Sequence, residues 1–429
     1  MRHNAIGIDF GTSNSSVALA LPGGEVRMAV FPFAGTMTDS YRSLLYLEQE
    51  KVHGRNVVKS WSGPAGIERY LDADDKGRLI QSLKSFLTSR TLKGTEIFGR
   101  MHTLEELVSR ILRDLKGHAE AQFGVSIGEA VVGRPVEFVG AEKEADNRHA
   151  EGRLREAFRM AGFDKVSFQL EPVGAAYHYE STLERDELLL IGDFGGGTSD
   201  FTLIRVGPGV RKRGRKKQDL LGHAGLGLAG DTFDAKIIHH LVSPALGAGT
   251  QLRSVDKLLP VPVWIYAKLE RWHHLSFLKT KETMEMIRVV QAQALEPEKI
   301  AALLHLIRED LGYRLHQSVQ AVKRDLSSHT EAMFRFSDGD VSLDATVKRS
   351  DFELWIGEEL ERIRGCVDGL LGAHKVEPGQ VDRVFLTGGT SFVPAVRRIF
   401  EERFGAAKIQ TGDEFTSVAR GLALQGVFG

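Results

Sequence analysis

At 429 residues the chain is too long for one hydrophobic core and predicts at least two domains. Its 42% apolar and 26% charged residues are ordinary for a globular protein, and a formal net charge of −1 gives no pull toward nucleic acid or a membrane surface. A single cysteine, Cys366, excludes an internal disulfide framework and fits a reducing, cytoplasmic setting. Its place on an apolar helical stripe predicts a core residue.

The opening Met-Arg-His-Asn-Ala runs straight into the first strand, leaving no room for a signal peptide, and no apolar run reaches the ~18 residues of a membrane helix. Ile6 and Ile8 lead into Asp9-Phe-Gly11-Thr12-Ser13-Asn14, and Val17 to Leu19 follow: strand, glycine turn, strand. Residues 60–125 read as helical. Within them Thr103 and Glu106 form a capping box ahead of the stripe Leu104, Leu107, Val108, Ile111, Leu112 and Leu115. A short strand at 130–133 precedes a helix over roughly 142–161, stopped by Gly162. Another strand, Val166 to Leu170, gives way at Glu171-Pro172 to a helix. Then the first pattern returns, 184 residues on (193 minus 9): Leu188 to Ile191, Asp193-Phe-Gly195-Gly196-Gly197-Thr198, Phe201 to Ile204. Residues 231–325 are mostly helical, with a proline break at 259–262. Strands return at 333–348, Ser350 and Glu353 predict the cap of a long helix, and Val384 to Gly389 reads as a strand ending in a glycine turn. A last helix starts near Thr416. Alternating strands and helices in two related halves predict an α/β protein with two lobes.

The duplicated turns carry the chemistry. Glycines let backbone N–H groups approach an anion closely, and Thr12, Ser13, Asn14, Thr198 and Ser199 add neutral donors. Asp9 and Asp193 suit a hydrated Mg²⁺, which takes few carboxylates and keeps several waters. Other signals are weaker. Gly225-x-Gly227-x-x-Gly230 lacks the strand before it and the acid after it that a dinucleotide fold needs. Asp-Phe-Gly comes without a kinase catalytic loop, and no Gly-Lys-Ser/Thr exists for a Walker loop. The basic run Arg211 to Lys217 reads as a solvated hairpin tip, and adjacent His273 and His274 point too far apart to chelate a metal.

Taken together, Ile6 to Ala18, Ile191 to Asp200, Leu228 to Asp234 and Val384 to Pro394 resemble, in order, the two phosphate loops, the following Leu-Gly-Gly-Glu-Asp-Phe-Asp stretch and the adenosine motif of the heat-shock-protein-70 (DnaK-type) chaperones. The resemblance implies an actin-like ATPase fold: α/β, with ribonuclease-H-like duplicated lobes and a central ATP cleft. Lobe I would span residues 1–188, with the final helix, about 412–429, packing back on it. Lobe II would span 189–411, with a helical subdomain at about 231–332 and the adenosine motif at 384–394. It implies ATP or ADP with Mg²⁺ held through water by Asp9 and Asp193. Gly11, Thr12, Ser13, Asn14, Gly195, Gly196, Gly197 and Thr198 would cradle the phosphates. Lys84 would contact the γ-phosphate and the attacking water, Glu171 would orient that water, and Asp200 would stand beside the second loop.

Gly230, Gln320, Lys323, Arg324, Ser327, Gly388, Gly389 and Phe392 would bind the nucleoside. Gln320 stands where the family has glutamate, and Phe392 where it has an arginine on the adenine. The segment Asp413 to Ala419 departs from the family pattern. The sequence reaches only to where the family's linker would begin, so the resemblance implies no peptide-client site of the usual kind. The expected function is a cytoplasmic, slowly hydrolysing nucleotide switch read by a protein partner, without nucleic acid or membrane. A sugar-type kinase and a nucleotide-dependent scaffold or polymer are the alternatives.

Overall fold

The computed structural model describes the chain apart from residues 1–2, 34, 54, 74–76, 255–256, 272–277, 340, 411–417 and 429. Two compact units share the chain. The first comprises Met1–Gly227, Cys366–Gly388 and Phe400–Gly429; the second comprises Leu228–Gly365 and Gly389–Ile399. The expected lobe boundary near residue 188 falls between two sheets that the contacts group within the first unit.

Those two sheets repeat one plan. In the first, Ala5–Phe10 is central, with Asn14–Ala20 and then Val26–Met28 antiparallel on one side, and Glu129–Arg134 and then Lys165–Leu170 parallel on the other. In the second, Glu187–Phe194 is central, flanked by antiparallel Ser199–Val206 and Leu220–Leu226 and by parallel Arg383–Thr387 and Ile409–Gln410. Each glycine turn therefore occupies the same place in its sheet, at the end of the central strand. The first sheet packs into a core with Leu107, Ile111, Leu154 and Phe158 from the helices Leu104–Phe123 and Glu144–Met160. The Thr103–Glu106 capping box forms as the sequence requires.

Glycines close the back of this sheet. A Cβ on Gly7 would lie 2.1 Å from the Ala419 carbonyl oxygen, and one on Gly421 only 1.8 Å from that of Gly174. The helix Val418–Phe428 therefore lies backbone to backbone on the first strand and on the helix Glu171–Thr182. In the second unit Gly230–Ile237 runs into a π-helical turn at Ile238–Val242, and helices Val263–Leu269, Lys281–Gln293, Pro297–Arg308 and Gly312–Ser328 follow. The hairpin Glu331–Asp338/Val341–Lys348 turns Ala332, Phe334 and Phe336 inward, as period-two alternation demands.

Five local readings are corrected. Residues 60–125 are not all helical: Arg78–Gln81 joins a sheet with Leu44–Val52, and Gly94–Ile97 pairs with Arg100–Thr103 across a Phe98-Gly99 turn, both at positive φ. Phe-Gly hides a turn that Asn-Gly would have announced. The long helix expected from Ser350 is two, Arg349–Trp355 and Gly357–Ala373, and Ser350 Oγ bonds Asp351 rather than capping. Cys366 is half-buried, at the flank of its stripe rather than in its centre. The Gly225–Gly230 stretch does link a strand, Leu220–Leu226, to a helix. That strand is antiparallel to its neighbour, which still rules out a parallel dinucleotide fold.

The basic run is exposed at Arg211, Lys212, Arg213 and Lys216, as a solvated face would be, but it is not a hairpin tip. Pro208–Arg213 is helical, Arg215 donates to Glu180 at 2.7 Å, and Arg213 pairs with Asp219, both acids being 2% exposed. Trp272-His273-His274 and most of Asp413–Ala419 lie outside the described residues.

Candidate functional site

The first unit brings both glycine turns to one cluster of charge. Asp193 ends its strand in register with Asp200 on the returning strand and Thr387 on the parallel neighbour. Thr387 Oγ1 donates to Asp193 Oδ1 at 2.7 Å, and Thr198 Oγ1 to Asp200 Oδ2 at 3.1 Å. The turn is tight: Gly195 N–H donates to the Thr198 carbonyl at 2.8 Å. In the first turn Asp9 pairs with Ser16, and Ser13 accepts from the Ser43 N–H through its carbonyl. Gly388 is obligatory for its approach, because at φ 84° a Cβ would stand 1.9 Å from the Phe194 carbonyl oxygen.

Lys84 lies in the 3₁₀ turn Leu83–Phe86, entered through Ser82 at φ 58°. Its Nζ donates to Glu171 Oε1 at 2.9 Å, with both side chains nearly buried. Glu171 is the first residue of its helix, ahead of Pro172, where an acid complements the helix dipole.

Four acids thus face one ammonium. Burial, then Glu171 and Asp193, pushes the Asp9 carboxyl up to about 7, with Lys84 acting in the opposite sense. Asp200 is pushed up to about 7 by burial and by Asp193. Asp193 is raised by burial, against the Thr387 hydrogen bond. Burial disfavours the Lys84 charge, yet Glu171, Asp9 and Asp193 outweigh it and raise its pKa. Carboxylates held at such values are short of positive charge. They fit a hard divalent cation, and Asp193, Asp200 and Glu171 line a cleft with Thr387 and Phe201.

Of the expected residues, Asp9, Lys84, Glu171, Asp193, Asp200 and Thr198 meet here. On the second unit, Lys323 Nζ donates to the Gly230 carbonyl at 3.1 Å and stands 2.6 Å from buried Asp234, toward which Gln320 also points at 3.5 Å. Arg324 is exposed and Ser327 bonds back to the Lys323 carbonyl, so neither joins that group. Phe392, 63% exposed, sits on the turn Gly389–Phe392. Sequence reasoning quoted Thr387 and Asp234 within motifs but gave them no role. Thr387's only signal is its place one residue before the glycine pair.

Known proteins resemble the chain along most of its length. The family described as "Hsp70 protein" matches residues 77–253 and 307–428, more than half of the chain. The chain is 26% identical over 438 residues to the chaperone protein DnaK of Deinococcus radiodurans, covering 98% of this chain and 59% of that protein. Against the chaperone protein DnaK of Thermus thermophilus the identity is 25% over 434 residues, covering 98% and 60%. The chain thus spans about three fifths of the length of these curated relatives.

Proposed function

This chain belongs to the Hsp70 family, and on that premise we propose that it binds Mg²⁺-ATP and hydrolyses it slowly as a nucleotide switch. Its fold is the family's actin-like ATPase fold. The observation that carries the reading is the buried Lys84–Glu171 pair, 2.9 Å apart beside Asp9 and Asp193. Asp9 and Asp193 would hold the ion through water; when bound, Mg²⁺ neutralises phosphate charge. The N–H groups of Gly11 to Asn14 and Gly195 to Thr198 cradle the phosphates. Phosphoryl transfer needs positioning and charge neutralisation rather than covalent help. Glu171 orients the attacking water and accepts its proton, while Lys84 holds Glu171 in place and offsets charge growing on the phosphate. Thr198 fixes Asp200 at the edge of the loop. By family resemblance the sugar and base would fall to Gly230, Gln320, Lys323, Arg324, Ser327, Gly388 and Gly389, and the Phe392 ring would stack on the base. A protein partner reads the nucleotide state.

Titration with ATP and ADP, with and without Mg²⁺, followed by phosphate release without any acceptor, tests this. Lys84→Ala should keep nucleotide binding and lose roughly 10²-fold in turnover. Unchanged turnover would remove Lys84 from the chemistry, and silence until a hydroxyl acceptor is added would make the protein a kinase.

A further inference from the structure

A second, chemically different cluster lies on the second unit. We propose that Asp231, Asp234 and His316 form a binding site for a divalent first-row transition cation, zinc foremost. Asp231 and Asp234 stand three residues apart on the helix Gly230–Ile237 and so share a face, while His316 comes from the helix Gly312–Ser328. One ligand atom from each lies within 4.8 Å of the others.

Two of the three are deeply buried, Asp234 at 1% and His316 at 6% exposure, which separates this group from surface acids that merely share solvent. His316 Nε2 and Asp234 Oδ2 are 3.6 Å apart, too far for a hydrogen bond. That spacing is close to the edge of a tetrahedron: two ligands each about 2.0–2.1 Å from a zinc ion stand about 3.4 Å apart.

The surroundings are those of a ligating carboxylate. Lys323 Nζ forms an ion pair with the other oxygen, Oδ1, at 2.6 Å, though that oxygen accepts no hydrogen bond among the described residues, and Gln320 Nε2 donates to Oδ2 at 3.5 Å. Outer donors of this kind orient first ligands at metal sites. Two carboxylates against one ammonium leave a single negative charge, so a dication is attracted. One imidazole with two carboxylates favours zinc and its neighbours over calcium or magnesium, which take oxygen. Asp231, exposed, gives the ion a way in and leaves remaining positions to water. The Asp9–Asp193 site is on the first unit and offers oxygen alone, so the two sites are distinguishable by their donors.

The whole chain, stripped with a chelator, is titrated with zinc by calorimetry and with cobalt by visible absorption. One zinc ion per chain should bind at a site whose affinity falls tenfold or more in His316→Ala and in Asp231→Asn, and the cobalt bands should weaken in both. Asp231→Asn, a change at an exposed residue, keeps the test decisive should His316→Ala fold poorly. Zinc uptake unaltered in both variants, or uptake that disappears in Asp9→Asn alone, would overturn the proposal. Nucleotide titration of the same variants, reported separately, keeps this result apart from that of the phosphate site.

Discussion

Thr387 spends its hydroxyl proton on Asp193, and burial leaves that carboxylate few other donors. Thr387→Val keeps the shape and removes the bond. Asp193 should then rise further in pKa, and the Mg²⁺ concentration for half-maximal phosphate release should increase about tenfold, the scale of one hydrogen bond to a charged group. An unchanged Mg²⁺ dependence would show that Thr387 only packs. Gly388→Ala forces a Cβ onto the Phe194 carbonyl at positive φ and should cost about 2–4 kcal/mol in chemical denaturation. At this scale the sequence was readable where a residue type and its turn belong together: Asp9 and Asp193 each close a strand before glycines. Lys84 and Glu171 were readable through resemblance alone, since 87 positions separate them and nothing local announces the pair. Thr387 and Asp234 were not, because a threonine or aspartate inside a motif looks the same with or without a partner.

Elements repeat that lesson. Helices with an apolar stripe and a cap, such as Leu104–Phe123, follow from the sequence because their signals are local. The strand Arg78–Gln81 escaped because its partner lies more than thirty residues earlier, and the anchoring of Arg215 because its partner Glu180 is 35 residues away. Arg215→Ala should lower stability by about 1–3 kcal/mol, since it leaves the nearly buried Glu180 carboxylate to the Gly207 N–H without its guanidinium. Denaturation that matches the parent would return the run to a solvated tip. The strand Arg100–Thr103 carries His102, 2% exposed, with Glu106 Oε2 3.6 Å away and neither ring nitrogen hydrogen-bonded among the described residues. Burial, then Arg110 and Arg100, holds its pKa below the ordinary value. The unfolded chain takes up this proton first, so the stability His102 contributes is present above about pH 6.5 and lost as pH falls through that value. Thermal melts from pH 7.5 to 5.5 should fall less steeply in His102→Gln than in the parent; equal slopes would exclude His102 as the source.

For the whole molecule, the duplicated turns foretold two related halves, because each turn needs a strand to end on, while the strand order of the two sheets was decided by pairings between distant segments. Assignment of strands to compact units was not visible, being decided by packing among distant segments. Mg²⁺-ATP that binds the folded chain alone should raise its unfolding temperature by mass action, and more so in Lys84→Ala if that variant retains undigested ATP. No shift at saturating nucleotide would contradict binding altogether. The glycine-to-backbone seating of Val418–Phe428 sets a schedule as well. A Cβ on Gly133 would touch Glu171, Leu422 and Val418 together, so the support behind Glu171 comes from the helix Val418–Phe428. A ribosome delivers that helix after both glycine turns and after the helix Glu171–Thr182. Each nascent chain therefore carries both glycine turns for a period in which Glu171 lacks its brace, and under the proposed function turnover would wait until Val418–Phe428 has packed.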